Sequence, residues 1–293
     1  MRALCHPVVI GSGAAIKAHA KACGLPLRNV DVLELGPGEF TIGEIHPAHG
    51  RAAIAAAQRA IRGAVAGDYA AVVAAPHSET AIHAAGIEFD GYTSLVARTL
   101  GLAPEEAILM LCFEHEGRDV RIAHVTLHSS VLTSLKLITK MRVLRTIRAV
   151  HEALRRLSYS KPRIAVSGVN PHAGEGALFG DEETTAVTPA IEAARGEGIA
   201  VDGPIGADTL IQRAGYDAYV VMLHDQGHVA AKLLAPNRTA ALTIGTPVLF
   251  SSVAHGAAFD IAGRNRADPA AMVEAITQLV TRRRRSPQTG RSS

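Results

Sequence analysis

Three of the chain's 14 histidines share one local pattern. His128 closes the run RIAHVTLH, His172 follows RIAVSGVNP, and His224 follows YDAYVVML. Each stands where an apolar run gives way to a polar or glycine-rich segment. Neutral imidazole is a ligand for zinc and related divalent ions. Three protein ligands with an open fourth position is the arrangement of a catalytic zinc site. The pattern nominates His128, His172 and His224 as a metal set, against the ordinary reading of exposed or hydrogen-bonded histidines. His6, His19, His46, His49, His83, His115, His124 and His151 lack that placement and read as ordinary residues.

Other chemistry-bearing residues lie close to these three. His224 begins the segment HDQGH, with Asp225 beside it and Lys232 further on. Asp208 sits in GADT. Asp208 and Asp225 are candidates to orient ligand histidines or relay protons, although GADT suits a helix cap equally well. Lys232 is a candidate base or carboxylate contact. The loop GVNPHAGEGALFGDEE, 168–183, permits close backbone approach to a ligand, with Glu182 and Glu183 at the positive end of the following helix. It is neither a GxGxxG fingerprint nor a Walker loop.

The elements that must position these residues alternate in type. DYAAVVAAP reads as a buried strand followed by a short helix in SETAIHAAG. EEAILMLCFE and RDVRIAHVTLH read as strands joined at Gly117. A stretch over 129–157 without Pro or Gly reads as one helix, with Leu132, Leu135, Ile138, Leu144, Ile147, Val150 and Leu154 at helical spacing. Strand RIAVSGVN, a helix over 182–195 that tolerates Pro189, strands YDAYVVML and AALTIG, and a last helix over 269–282 complete the order. Alternating strands and helices predict doubly wound α/β layers with ligands beyond the carboxyl ends of strands.

Composition excludes several classes. Hydrophobic residues make up 48% of 293, enough for a sizeable core, yet no apolar run is long enough to span a membrane. No signal-type start is visible, and a cytoplasmic protein is expected. Cys5, Cys23 and Cys112 form neither a disulfide framework nor a cysteine metal site. The net charge of +3 comes from the tail: without Arg282, Arg283, Arg284, Arg285 and Arg291 it falls to −2. The tail, 282–293, reads as a solvated, disordered end, so neither nucleic acid nor membrane is expected as a partner.

Taken together, NPHAGEG, GADT, HDQGH, KLLAPN and HGAAFDIAG resemble the 4-hydroxythreonine-4-phosphate dehydrogenase family of pyridoxine biosynthesis. The resemblance runs from about Cys5 to Met272. It implies an isocitrate/isopropylmalate-dehydrogenase-like fold of two α/β/α domains, here 1–92 with 240–281, and 93–239. It implies a homodimer with active sites shared between subunits. It implies a divalent metal on His128, His172 and His224, most simply zinc, with Mg, Mn, Co or Fe also open. HGAAFDIAG resembles an adenosine-binding loop, so His255, Gly256, Asp260 and Gly263 are expected to border NAD, with NADP also open.

The departures from that pattern carry information. GYTS stands where the phosphate enzymes have GHTE, so Tyr92 replaces a substrate-binding histidine beside Thr93. Ala241 stands where Asn would bind substrate and Phe250 where Arg would; Lys232 is kept. Losing Arg and Asn removes bidentate phosphate recognition. The chain is thus similar to the terephthalate cis-dihydrodiol dehydrogenase branch, which implies oxidation and decarboxylation of a cyclohexadiene cis-diol carboxylate. The pyridoxine-pathway reaction is the alternative. A non-catalytic dimer that binds metal or nucleotide is a second, and a metal-dependent lyase a third. The family's first strand and its GDPxGIGPE segment have no counterpart, since MRALCHPVVIGSG matches the second strand. An upstream start, a tolerated loss or an impaired protein would each account for this, and a lost strand exposes a sheet edge.

Overall fold

The computed structural model describes residues 5–27, 30–35, 41–236 and 238–280. The arginine-rich end and Asn237 of KLLAPN lie outside the described residues.

The described chain opens with two parallel strands, β1 (Val8–Gly11) and β2 (Asp31–Glu34), connected through helix α1 (Gly13–Ala22). Ser12 caps α1, its Oγ accepting from the Ala15 N–H at 3.2 Å. Helix α2 (Pro47–Ala66) starts with a proline in its first turn and ends at Gly67, whose φ of 86° favours a residue without Cβ. It buries Gly50, Ile54, Ala57 and Ile61 along one stripe. Strand β3 (Val72–Ala74), helix α3 (Glu79–Ala84) and helix α4 (Tyr92–Leu100) follow. Helix α2 packs against β1, β3, α3 and α4, so it bridges the small sheet and the large one.

The rest of the chain builds the large sheet and its cover. Its strands are β4 (Ile108–His115), β5 (Arg118–His124), β6 (Arg163–Ser167), β7 (Ala200–Ile205), β8 (Ala218–Val221), β9 (Ala240–Ile244) and β10 (Phe250–Val253). Its helices are α5 (Val131–Leu137), α6 (Lys140–Arg156), α7 (Thr188–Gly196), α8 (Ala207–Leu210), α9 (His224–Leu234) and α10 (Ala270–Val280). Among the described residues this is an eight-stranded sheet in the order β3-β10-β9-β4-β5-β8-β6-β7. β5, β8, β6 and β7 run parallel, whereas β4 and β9 pair antiparallel to their neighbours. The expected α/β class is therefore present, as one mixed sheet covered on both faces.

One face is covered by α6, α7 and α10, with Met110, Ala123, Val166, Val220 and Leu242 pointing into that core. The other is covered by α9 and α8, with Leu111, Ile122, Tyr219 and Val221 beneath them. Side chains alternate along a strand, so His124 and Thr243 share the α9 face. Among the described residues no helix is long and apolar enough to cross a membrane.

The single helix expected over 129–157 is two. It breaks at Ile138 and Thr139, both extended in ψ, and the Thr139 Oγ1 caps α6 by accepting from Arg142 N at 3.3 Å. The break turns Ile138 into the core and leaves Leu132 66% exposed. Pro189 is tolerated because it lies in the first turn of α7, directly after a π-helical turn at Glu183–Val187.

Helices α2 and α3 touch at Gly50, where an added Cβ would come within 2.2 Å of the Ala81 carbonyl oxygen. Backbone cannot yield as a side chain can. Gly50→Ala is expected to destabilise the protein by about 1–3 kcal/mol. The midpoint of urea unfolding checks this, and an unchanged midpoint would show that the two helices separate freely.

Candidate active site

The ends of β5, β6 and β8 lie side by side in the parallel part of the sheet. The segments beyond these ends are fastened to one another. Gln226, in the first turn of α9, accepts with its Oε1 from the N–H groups of Met222 and Leu223 at 2.9 and 3.0 Å. Its Nε2 donates to the Gly168 oxygen after β6, at 3.1 Å. Glu183 holds the same segment from the other side. Its carboxylate accepts from the Val169 N–H at 2.7 Å and the Asn170 N–H at 2.8 Å. Burial works to raise the Glu183 pKa, and the bonds from Asn170 and Val169 outweigh it, holding the carboxyl below its ordinary value. Its sequence position suggests a helix-dipole role; the structure gives it this binding task instead.

His172 lies in that loop. It, Ala173 and Glu175 all have left-handed φ, at 51°, 55° and 44°, with Gly174 between them. Each non-glycine residue there is strained by about 1–2 kcal/mol. His172 is exposed, its Nδ1 3.3 Å from Glu175 Oε2 and its ring against Phe179. His224 opens α9 rather than a loop, and its Nδ1 stands 2.6 Å from Asp225 Oδ1. The carboxylate is within hydrogen-bond distance of the imidazole and fixes its orientation. His128 lies beyond the end of β5, which stops at His124, and its ring centroid is 5.8 Å from that of His224. His128 and His224 are therefore neighbours, and His172 is not joined to them. Among the described residues no three His, Cys, Asp or Glu side chains are gathered to hold a metal. Within one chain the expected set does not fit a metal ion.

Asp208 is placed neither as a helix cap nor against a histidine. Among the described residues it makes no hydrogen bond to a histidine, and α8 has no side-chain cap. It lines a groove with Asp225, Gln226 and Val229.

Two histidines outside the expected set belong to this place. His124 is 2% exposed, and neither ring nitrogen has a hydrogen-bond partner among the described residues. His228, one turn after His224, stacks on the His224 ring at 3.8 Å and lies 4.7 Å from His124. Burial first, and then the neighbouring imidazoles, push His124 down to about 3 and His228 down to about 4. The sequence sets His124 among the ordinary histidines and leaves His228 outside the expected metal and substrate sets. The signal for His228 was its four-residue spacing from His224 and Lys232, which puts all three on one helix face. Lys232 is exposed.

The residues expected to bind substrate lie over the same sheet face. Thr93 Oγ1 meets Thr243 Oγ1 of β9 at 3.3 Å. Tyr92 packs on Phe250 at 5.3 Å, with His77 and Phe89 against its other sides. Burial pushes the Tyr92 phenol up to about 12, and its hydroxyl donates to the Ala75 oxygen at 3.2 Å. Ala241 is half-buried beside Leu111 of β4. Phe250, expected to touch substrate, is 1% exposed in a core with Ile61, Val72 and Val96. Its ring backs Tyr92 and is too deep to contact a ligand itself.

Loop 255–263 borders a second cavity, of about 400 Å³, between β1, α1 and α2. Its walls are Ala257, Phe259 and Ala262 with Gly11, Ser12 and His49. His255, Gly256 and Asp260 are exposed at its margin, and Gly263 has a φ of 71° that suits glycine. The apolar walls and size fit a nucleotide base.

Lowered histidines fix the sign of an acid effect. In the unfolded chain His124 titrates near 6.5; folded, it resists protonation down to about 3. Below pH 6.5 the unfolded state binds the extra proton, so stability falls as pH drops from 6.5 toward 3, by at most about 1.4 kcal/mol per pH unit. His124→Leu should flatten that fall. Urea unfolding at pH 7 and pH 4.5 measures it, and parallel slopes in the two proteins would refute the assignment.

A 1,2-dihydroxy-3,5-cyclohexadiene-1,4-dicarboxylate dehydrogenase of Comamonas sp is 44% identical over 275 residues, 92% of this chain and 86% of that one. The crystal structure of a terephthalate 1,2-cis-dihydrodiol dehydrogenase from Burkholderia xenovorans LB400 is 41% identical with a TM-score of 0.73, covering 93% of this chain and 88% of that one. A 4-hydroxythreonine-4-phosphate dehydrogenase from Burkholderia phymatum is 33% identical with a TM-score of 0.81, covering 96% and 91%. The family model described as pyridoxal phosphate biosynthetic protein PdxA matches residues 3–279, and the chain belongs to that family.

Proposed function

We propose that this protein is an NAD-dependent dehydrogenase that oxidises the secondary hydroxyl of a cyclohexadiene cis-diol carboxylate, with loss of CO₂. The observation that carries this reading is the Tyr92 wall. Its phenol is neutral, and its one proton is already given to the Ala75 oxygen. Phe250 lies behind it, and Ala241 offers no donor nearby. A phosphate monoester needs several aligned donors, and this wall presents an aromatic edge. The 44% identical relative acts, by its name, on such a diol dicarboxylate.

Bound NAD supplies the hydride acceptor. The chain's own residues hold and deprotonate the substrate. Lys232, exposed on the same face of α9 as His224, can hold a carboxylate with its ammonium or, as the amine, take the hydroxyl proton. Oxidation of a hydroxyl β to a carboxylate gives a β-keto acid. The C–C bond to that carboxylate then breaks, CO₂ leaves, and the electron pair passes to the ketone oxygen as the ring becomes aromatic. The groove lined by Asp208, Asp225, Gln226 and Val229 runs along α9 beside α8 and the β4–β5 turn. The division into 1–92 with 240–281, and 93–239, is proposed on the family resemblance.

A divalent metal is proposed for the assembled homodimer only, since one chain does not gather His128, His172 and His224. Exposed His172 supports a site completed across two subunits. If so, mixing inactive His172→Ala and His224→Ala proteins under subunit exchange should restore about a quarter of wild-type activity, because half the dimers regain one site of two. Assay of the mixture decides it; no recovery would place all ligands in one subunit or remove the metal from the reaction.

Substrate choice tests the main reading. kcat/KM for NADH formation should favour the cis-diol dicarboxylate over 4-hydroxythreonine 4-phosphate by about a hundredfold, the worth of two lost charge-assisted bonds. Preference for the phosphate would return the chain to the pyridoxine reaction, which Lys232 and Thr93 favour.

A further inference from the structure

Helix α9 turns three side chains to one face at four-residue spacing, His224, His228 and Lys232. The reaction above uses the first and last. His228 is the one without a task, and its surroundings define it closely. Its ring stacks on that of His224, with centroids 3.8 Å apart and planes 7° apart. His124 packs against it at 4.7 Å. Its Nδ1 lies 3.2 Å from the His224 backbone oxygen. A carbonyl oxygen only accepts, so Nδ1 carries the ring proton and Nε2 keeps its lone pair. Among the described residues no hydrogen bond reaches Nε2. The ring is therefore held in one plane and one tautomer, with a hydrogen-bond acceptor left over.

A group so arranged recognises a hydroxyl rather than a carboxylate, because a carboxylate brings no proton. We propose that His228 is a substrate-binding residue whose Nε2 accepts a hydrogen bond from the hydroxyl of a vicinal diol acid that is not oxidised. Lys232, one turn further on, faces the carboxylate; side chains four apart on a helix have their Cβ atoms about 5–6 Å apart, within reach of one small ring. His124, buried beneath, keeps the His228 ring in place. This assignment rests on the dehydrogenase reading for its substrate, and it makes the site selective for diol acids over monohydroxy acids. A site built to pair with a hydroxyl rejects the analogue that lacks it.

The probes are 1,2-dihydroxycyclohexane-1-carboxylate and 2-hydroxycyclohexane-1-carboxylate, whose saturated rings cannot aromatise. Binding is measured by calorimetry and turnover by NADH formation, for wild type, His228→Leu and His228→Gln, with circular dichroism melts to verify folding. The wild type should bind the diol acid about tenfold more tightly than the monohydroxy acid. His228→Leu should abolish that preference, raising KM for the diol acid about tenfold while changing kcat less, and leave the monohydroxy acid unaffected. His228→Gln, which offers an acceptor oxygen, should recover part of it. Equal binding of the two acids by wild type, or equal losses on both in His228→Leu, would overturn the proposal. Should His228→Leu not fold, the wild-type preference and the His228→Gln result decide it. A binding preference that depends on His228, in a protein forming no NADH, would uphold this assignment and sink the dehydrogenase reading; NADH formation without the preference would do the reverse.

Discussion

Helix α9 rests on the sheet as closely as it does because Gly227 has no side chain. A Cβ there would lie 2.3 Å from His124 Nε2 and 2.9 Å from Ile122 Cγ2. The imidazole at the end of β5 occupies the volume that any other residue would fill. This close approach sets the height of α9 over β4, β5 and β8. The heights of His224, His228 and Lys232 above the sheet follow from it. Raising the helix by the width of a methyl group would also break the bonds from Gln226 to Met222, Leu223 and Gly168.

Those bonds couple parts of the site that lie far apart in sequence. Gly168 gives its oxygen to Gln226, and the next two residues give their N–H groups to Glu183. The segment leading to His172 is thus gripped on one side by α9 and on the other by the turn before α7. The three strained residues around Gly174 persist because this grip leaves the backbone no relaxed alternative. Glu183 must remain ionised for that, which burial opposes and the donated bonds secure.

Much of the framework was legible in the sequence, for a physical reason. Apolar runs that end in His, Asn or Gly report both a strand and the end where ligands gather, since burial and polarity change together there. That logic points to the segments carrying His128, His172 and His224, which lie beyond the ends of β5, β6 and β8. It passed over His124, whose position inside an apolar strand reads as an interruption, although its burial under Gly227 makes it central. It could not see Gln226 or Glu183 at work, because their partners lie in other elements. The 129–157 stretch reads as one helix because it holds no Gly or Pro, whereas Thr139 starts a second helix by capping it. The sequence places Phe250 against substrate, whereas it is buried behind Tyr92; sequence shows which side chain stands in a strand but not how deeply a neighbouring helix covers it.

The site is assembled from groups that work against the fold. An imidazole buried without a hydrogen bond costs about 1–3 kcal/mol, and each left-handed non-glycine residue in 172–175 adds about 1–2 kcal/mol. The opposite face of the sheet offsets them. Val143, Leu144, Ile147, Val150 and Leu154 of α6 are fully or almost fully buried, each contributing about 1.5–3 kcal/mol. The division of labour follows the sheet: one face is packed for stability, and the other keeps unpaired nitrogen atoms and a strained loop. A ligand that binds only the folded state stabilises it. It would do so on the less stable face, which is where the chain has the most to gain.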